Sequence, residues 1–156
     1  SGARYRGGDF VTIYLAPRDY HRVHLPMTGQ LVATTALPGE LFSVNATTAR
    51  TVPGLFCRNE RLVCEFETAA GGMLVILVGA LIVASIETVW GGPVSPYRSR
   101  QDNNWNLTFK RGAEIGRFLL GSTVIVVTEP GRLALSPDLV EGRTVRMGTA
   151  IGAITG

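Results

Sequence analysis

The longest uncharged stretch of the chain, TAAGGMLVILVGALIVASI at residues 68–86, limits most strongly what this sequence can fold into. Its continuously apolar part, residues 73–86, is shorter than the roughly 18–20 residues that a membrane-spanning helix needs. Because it is rich in Val and Ile and is interrupted by Gly79, it favours two buried strands around a glycine kink. We therefore predict that the chain does not cross a membrane by itself.

The frequency of turn residues indicates a β-rich fold. The 156 residues include 19 Gly and 8 Pro, and 46% of the residues are hydrophobic against 17% charged. This length is enough for one domain with a real core, and so many Gly and Pro residues imply short elements joined by turns. We predict a single, mainly β (α+β) domain of antiparallel sheets, in a sandwich- or barrel-like arrangement with one or two short helices.

Local patterns place the individual elements. Three segments with β-branched or alternating apolar residues are predicted as strands, at 10–15, 29–37 and 61–68. Residues 41–56 are predicted to hold a short helix, with Asn45 as its N-cap and Pro53 after its end. The polar residues 91–106 are predicted to form the one long loop. Beyond it, we predict strands broken at Gly112, Gly116, Gly121 and Pro130-Gly131.

The charge of the chain bears on its partners. The net charge is +3, and fourteen of the fifteen basic residues are arginine, which forms paired hydrogen bonds with phosphate. There is no basic run and no Arg-aromatic stripe, so we expect anionic lipid or phosphate rather than nucleic acid. The only cysteines, Cys57 and Cys64, match no usual zinc spacing and are expected to be reduced thiols.

Both histidines lie in the short sequence YHRVH, as His21 and His24. On a helical turn their rings would share a face, which is one way to hold a metal. The sequence offers no third His and no HExxH pattern, so we predict no metal site. Two interpretations remain: hydrogen-bonded histidines near a sheet edge, or a general base beside a general acid.

The sequence FLLGSTVIVV, at residues 118–127, places Gly121, Ser122 and Thr123 among apolar residues. Gly-Ser is common in turns, so a bulge in a buried strand is the structural interpretation. The GxSxG elbow of serine hydrolases is not present. In the functional interpretation, Gly121 lacks a Cβ and so lets the Ser122 hydroxyl approach the preceding carbonyl carbon. A nearby histidine would then take the hydroxyl proton, and the backbone would become the acyl donor.

An acidic partner is harder to identify. A base histidine normally needs a carboxylate that holds its tautomer. Asp19 is close in sequence to both histidines, and Glu87 ends an apolar strand. Neither has a spacing that distinguishes it, and Asp19 also suits a turn or a surface position. The sequence therefore leaves the acid open.

Taken together, several stretches of the chain resemble the phosphatidylserine decarboxylases, pyruvoyl-dependent enzymes that make phosphatidylethanolamine. The most specific is LGST at 120–123, which occurs here in company with YHRVH. The matching stretches follow the family's order and cover most of the chain, at 10–26, 38–45, 55–63, 78–90 and 110–125. The sequence is most similar to the longer, bacterial type.

The resemblance implies that residues 1–156 are a catalytic domain that cuts itself between Gly121 and Ser122. The Ser122 hydroxyl would attack the Gly121 carbonyl to give an ester. β-Elimination and loss of ammonia would then convert Ser122 into a pyruvoyl group, the one cofactor implied. The products would be a β chain of residues 1–121 and an α chain of residues 122–156.

The same resemblance implies roles for both histidines. His24 would be the base of self-cleavage, in a triad with Ser122, and His21 would donate the proton in decarboxylation. The pyruvoyl carbonyl would form a Schiff base with the amine of phosphatidylserine and act as the electron sink for loss of carbon dioxide. The family's triad aspartate and its amphipathic membrane-binding helices lie upstream of the matched region. We therefore expect this chain, which opens with Ser1-Gly2 instead of Met, to be truncated at its N-terminus.

The expected partners follow from this family. They are phosphatidylserine, an anionic membrane surface, the α and β chains bound to each other after cleavage, and a second copy in a homo-oligomer, taken as a dimer. The expected location is peripheral, on the cytoplasmic face of the cell membrane. Two alternatives stay open: a pyruvoyl decarboxylase of a soluble amino acid, and a non-catalytic β-domain that binds lipid or a protein partner.

Overall fold

The computed structural model describes residues 2–80, 86–121 and 123–155. Strands dominate, and they are β1 Phe10–Tyr14, β2 Arg22–His24, β3 Gly29–Leu37, β4 Arg61–Thr68, β5 Gly71–Val78, β6 Ile86–Thr88, β7 Gln101–Phe109, β8 Glu114–Phe118, β9 Thr123–Thr128, β10 Leu133–Leu135 and β11 Gly152–Ile154. The helical elements are short: a 3-10 turn Gly2–Tyr5, helix α1 Ala46–Thr51 and helix α2 Leu55–Arg58. The predicted mainly β class is confirmed.

The strands form three antiparallel sheets. The largest has six strands in the order β1-β9-β5-β4-β3-β7, so that β9 lies between β1 and β5. A three-stranded sheet has the order β2-β8-β6, and β10 and β11 form a separate pair. Sequence order and sheet order differ most at β9, which pairs with the first strand of the chain.

One hydrophobic core joins the two larger sheets. The six-stranded sheet contributes alternate residues of its central strands, such as Phe66 and Val75, and the smaller sheet contributes Val23, Ile115 and Phe118. The alternation follows from the pleat, which turns successive side chains to opposite faces. Burying a side chain of this size stabilises the fold by about 1.5–3 kcal/mol, so the shared core holds β2 and β8 against the large sheet.

Most of the predicted elements are confirmed. Strands β1, β3 and β4 occupy the predicted segments, and α1 begins at the predicted N-cap, where the Asn45 side chain accepts hydrogen bonds from the backbone N–H groups of Thr47 and Thr48. The first strand of the apolar stretch is β5, whereas residues 81–85 of the second lie outside the described residues. Within the described ranges, no helix combines the length and the apolar character needed to cross a bilayer.

Two local predictions are wrong. The predicted loop 91–106 is strand from Gln101 onward, because β7 is an edge strand whose outer face is solvated and so tolerates polar residues. Gly116 does not break a strand but lies inside β8. A Cβ there would come within 2.6 Å of the Glu87 carbonyl oxygen, so this glycine allows close approach of β6.

Candidate functional site

The predicted site residues converge on two connections between strands. The β1–β2 connection carries His21 just before β2, and His24 ends β2. The β8–β9 connection carries Gly121, and Thr123 begins β9. Ser122, the residue on which the predicted chemistry depends, lies outside the described residues. The geometry of the site is therefore described from the residues that surround Ser122 in the fold.

Gly121 contacts backbone of the β1–β2 connection so closely that no side chain fits. An added Cβ would lie 2.4 Å from the Leu15 carbonyl oxygen, 2.9 Å from the Ala16 carbonyl carbon and 3.0 Å from the Pro17 nitrogen. Because these neighbours are backbone atoms, they cannot turn away as a side chain would. The contact is a packing reason for glycine at this position, in addition to the chemical reason predicted from sequence.

His21 is bonded to the same peptide that Gly121 contacts. Its Nε2 lies 3.0 Å from the Ala16 carbonyl oxygen, and since a carbonyl only accepts, Nε2 carries a hydrogen. The His21 backbone carbonyl accepts from the Phe118 N–H at 3.0 Å, which fixes the residue against the end of β8. Ring and backbone together place His21 beside the connection that holds Gly121.

His24 lies at the other end of the same pairing. Its register partner is Glu114, at the start of β8, and its Nδ1 donates to the Gly112 carbonyl at 2.8 Å. A neutral His24 therefore has its lone pair on Nε2, and the Tyr20 hydroxyl donates to that nitrogen at 2.7 Å with the two rings stacked. The described contacts thus bring His21, and not His24, to the Ala16 peptide that Gly121 also contacts. The segment contains no helix and is strand from Arg22 to His24, so the two rings do not share a helical face.

Neither candidate acid touches a histidine in the described part of the chain. The Asp19 carboxylate accepts from the Ala16 N–H at 2.8 Å, and the Asp19 N–H donates to the Ala16 carbonyl at 2.9 Å. Asp19 therefore closes the turn that carries the Ala16 peptide. Glu87 is paired with Arg117 across the β6–β8 ladder, at 3.5 Å.

A cavity of about 150 Å³ adjoins the predicted cut. Its lining residues come from five separate parts of the chain: Tyr14, Pro17, Ser43, Val44, Ala80, Leu120 and Gly121. Sequence reasoning found only the glycine among them. Tyr14 ends the edge strand β1 and Ser43 precedes α1, and neither has a spacing in the sequence that relates it to residue 121.

From the sequence, Thr123 was noted as the second of two hydroxyl residues after Gly121, but it was given no role of its own. The residue is fully buried, and its hydroxyl has no hydrogen-bond partner in the described residues. Its register partners are Tyr14 in β1 and Val78 in β5. Residues directly opposite one another in an antiparallel pair share a face of the sheet, so Thr123 lies on the face of the cavity-lining Tyr14.

Metal ligands and thiols contribute little to this site. Over residues 2–80, 86–121 and 123–155, no three His, Cys, Asp or Glu side chains gather in a way that would hold an ion. Cys57 is an exposed free thiol and Cys64 a buried one. Burial raises the pKa of the Cys64 thiol far above its ordinary value, which keeps it protonated and unreactive.

The sequence is similar to that of known proteins over almost its whole length. The sequence model of a family described as phosphatidylserine decarboxylase matches residues 1–153. The phosphatidylserine decarboxylase proenzyme of Methylococcus capsulatus is 54% identical over 154 residues, which cover 96% of this chain and 54% of the relative. The proenzyme of Shewanella halifaxensis is 54% identical over 160 residues (97% and 56%), and that of Variovorax paradoxus 51% over 154 residues (96% and 54%). The chain spans about half the length of these curated relatives.

Proposed function

The chain belongs to the phosphatidylserine decarboxylase family, and we propose that it is the catalytic part of an enzyme that converts phosphatidylserine to phosphatidylethanolamine after cutting itself between Gly121 and Ser122. The relatives are named proenzymes, a name that implies cleavage into chains. The observation that carries the proposal is the Ala16 peptide, which Gly121 contacts on one side and the His21 ring binds on the other. The His21 ring, the proposed proton donor, would thereby lie near the carbonyl group formed at residue 122.

The proposed self-cleavage consumes no reagent other than water. The Ser122 hydroxyl attacks the Gly121 carbonyl carbon, the peptide C–N bond breaks, and the hydroxyl proton passes through a histidine to the freed nitrogen, which leaves an ester. Removal of the Cα proton of residue 122 then breaks the ester C–O bond, and Gly121 leaves as a carboxylate. The resulting enamine at residue 122 tautomerises to an imine. Water hydrolyses this imine to a ketone and releases ammonia.

His24 is the proposed base of this cleavage. Because Nδ1 is committed to the Gly112 carbonyl, the lone pair of the neutral ring is on Nε2, where a base needs it. The Tyr20 hydroxyl occupies that lone pair, so its hydrogen bond must open before His24 can take a proton. The proposal therefore includes movement of Tyr20 away from Nε2 during self-cleavage.

His21 is the proposed proton donor in decarboxylation. The Ala16 carbonyl holds the Nε2 hydrogen whether the ring is neutral or charged, so the proton donated in decarboxylation would be the one on Nδ1 of the charged ring. Its place beside the Gly121 connection supports a role near the reacting group, since a proton donor must come within hydrogen-bond reach of its acceptor. The two histidines then have separate tasks, one in maturation and one in turnover.

The surroundings fit a pyruvoyl group made from Ser122. Such a group presents carbonyl oxygens, which only accept hydrogen bonds, and the buried Thr123 hydroxyl is a donor without a partner in the described residues. Ser122 would hold the group covalently, and Thr123 would contact it. When present, a pyruvoyl ketone combines with a primary amine and withdraws electrons, which is the chemistry that loss of carbon dioxide requires.

The sheet topology supports continued association of the two chains after the cut. Strand β9 belongs to the 122–156 part, yet it is hydrogen-bonded on both sides to strands of the 1–121 part. Cutting before β9 leaves these ladders intact. The proposal extends to a homodimer, for which sedimentation of the purified protein is the test.

The proposed location is the cytoplasmic face of the cell membrane, where the chain would lie peripherally on anionic lipid. Leu119 is 55% and Leu120 37% exposed, and both directly precede the predicted cut. Apolar side chains at this point suit contact with a lipid substrate, and the net charge of +3 favours an anionic surface.

Mass spectrometry of the denatured, full-length protein tests the proposal. We expect a separate C-terminal chain that begins at residue 122, lacks a free amine at its start and reacts with hydroxylamine. The variant Ser122→Ala has no hydroxyl that can attack or become a ketone, so it should remain intact. A wild-type protein that stays in one piece and carries no reactive carbonyl would refute the proposed function.

A further inference from the structure

We propose that the Thr123 hydroxyl is the hydrogen-bond donor that positions the carbonyl group formed at residue 122. The inference rests on the proposed function and gives the contact between Thr123 and the new group a specific part in it. Its starting point is the buried, unpartnered hydroxyl described above. A buried polar group without a partner lowers stability, so a hydroxyl kept here has a use in another state of the protein.

Covalent geometry brings the two groups together. The carbonyl group made from Ser122 would be joined by an amide bond to the Thr123 nitrogen, so only Cα and Cβ separate that amide nitrogen from Oγ1. The hydroxyl also lies on the Tyr14 face of the sheet, and Tyr14 lines the cavity beside Gly121. Thr123 is therefore adjacent to the new group and turned toward the side where a substrate would approach it.

The chemistry of the two groups is complementary. Seryl oxygen before maturation can both donate and accept, whereas the carbonyl oxygens after maturation only accept. A threonine hydroxyl that makes no other hydrogen bond in the described residues is free to donate to them. A donor fixed at a carbonyl oxygen also stabilises negative charge that develops there. The same hydrogen bond would therefore assist both formation of the carbonyl group and the decarboxylation that it carries out.

Strand β9 offers a matched control. Thr128 is buried in the same strand, but its hydroxyl already donates to the Asp9 carbonyl, at 3.5 Å. In the full-length protein we compare Thr123→Val, which keeps the shape and loses the hydroxyl, with Thr123→Ser, which keeps the hydroxyl. Thr128→Val removes a buried hydroxyl elsewhere in β9 and should leave processing unchanged.

Two readouts do not depend on decarboxylase activity. The first is the rate at which the C-terminal chain appears, with its mass, because a chain that starts with the carbonyl is lighter by one ammonia than one that starts with serine. We expect Thr123→Val to process about tenfold more slowly, the size of effect that loss of one hydrogen bond produces, and to yield more serine-started chain. Thr123→Ser should follow the wild type.

The second readout is the infrared stretch of the carbonyl, labelled through ¹³C-serine. A hydrogen bond lowers its frequency, so it should rise in Thr123→Val and stay low in Thr123→Ser. Equal processing and equal frequency in Thr123→Val and wild type would overturn the proposal, as would a Thr123→Ser variant as slow as Thr123→Val. If Thr123→Val does not fold, a wild-type frequency typical of an unbonded carbonyl still refutes it. A wild-type protein with no carbonyl at all refutes the proposed function, and this inference with it.

Discussion

The His21 ring binds the Ala16 carbonyl through Nε2 at 3.0 Å, and this same Ala16 peptide lies where a side chain of residue 121 would have to be. Asp19 closes the turn that holds this peptide, because it is hydrogen-bonded to both the N–H and the carbonyl of Ala16. A substitution at Gly121 or at Asp19 therefore disturbs His21 through one shared piece of backbone.

Gly121→Ala should be destabilising as well as slow to mature. The new Cβ would meet the Leu15 carbonyl oxygen at 2.4 Å, and relief of such overpacking costs about 1–3 kcal/mol. Urea unfolding measures the loss of stability, and the appearance of the C-terminal chain measures maturation. Gly2→Ala is the control, because nothing lies within 4 Å of a Cβ added there. An alanine variant as stable as the wild type would contradict the described contact.

The two histidines should separate maturation from turnover. We expect His24→Ala to remain uncut, because the proposed base is gone. His21→Ala should still be cut but should release carbon dioxide from phosphatidylserine at least about a hundredfold more slowly, the usual effect of losing a general acid. Gel electrophoresis follows the first outcome and release of labelled carbon dioxide the second. If both variants mature and turn over normally, the assigned roles are wrong.

Tyr20→Phe should accelerate self-cleavage. The hydroxyl donates to His24 Nε2 at 2.7 Å, and this hydrogen bond must break before that nitrogen can accept a proton. Its loss removes about 0.5–1.5 kcal/mol from the barrier, which corresponds to a rate increase of roughly two- to tenfold. Time courses of newly synthesised full-length protein give the rate. Slower cleavage would mean that Tyr20 assists His24 in taking the proton, instead of blocking its Nε2.

The ion pairs of Arg4 should make stability depend on acid pH. Arg4 binds Glu67 and Glu129, and its hydrogen bond holds the pKa of Glu67 below the ordinary value. A carboxylate with a lowered folded-state pKa contributes stability above its unfolded pKa, about 4.3, and that stability is lost as the pH falls through the folded value.

Arg4→Gln should therefore lower the melting temperature at pH 7 more than at pH 3. At pH 3, below the unfolded pKa, the unfolded carboxylates take up protons more readily than the paired ones, so part of the stability that the pairs contribute is already lost. Arg100→Gln is a suitable control, because it removes an arginine that is paired with Asp102 two residues away and does not link distant strands. If Arg4→Gln lowers the melting temperature equally at both pH values, the Arg4 ion pairs are not the source of the pH dependence.

The fold was predictable where burial alone decides the pattern. Strand β4 alternates because one face is buried, and α1 begins at Asn45 because its side chain satisfies free N–H groups. Strand β7 was not predictable from composition, because its partner β3 supplies the ladder while its polar residues face water. An edge strand forms because a neighbouring strand supplies its hydrogen bonds, and that neighbour is not visible in the local sequence pattern.

The sequence motifs proposed the residue types of a candidate site but not their arrangement. His21, His24 and Gly121 were found from motifs, and the motifs gave no hint that Ala16 connects two of them. Ala16 has no functional side chain, and its part in the site is played by backbone atoms. Thr123 was noted beside Ser122 but was given no role, since a threonine in a strand is ordinary until its hydroxyl is found buried without a partner among the described residues.

If the chain is cut before β9 as proposed, the central place of that strand has a consequence for the lifetime of the protein. Because β9 is enclosed by β1 and β5, the C-terminal chain would leave only if the large sheet opened. Each molecule would then mature once and in one direction. A catalytic group that was spent or damaged would not be renewed from within, and the cell would replace it only by synthesising the whole protein again.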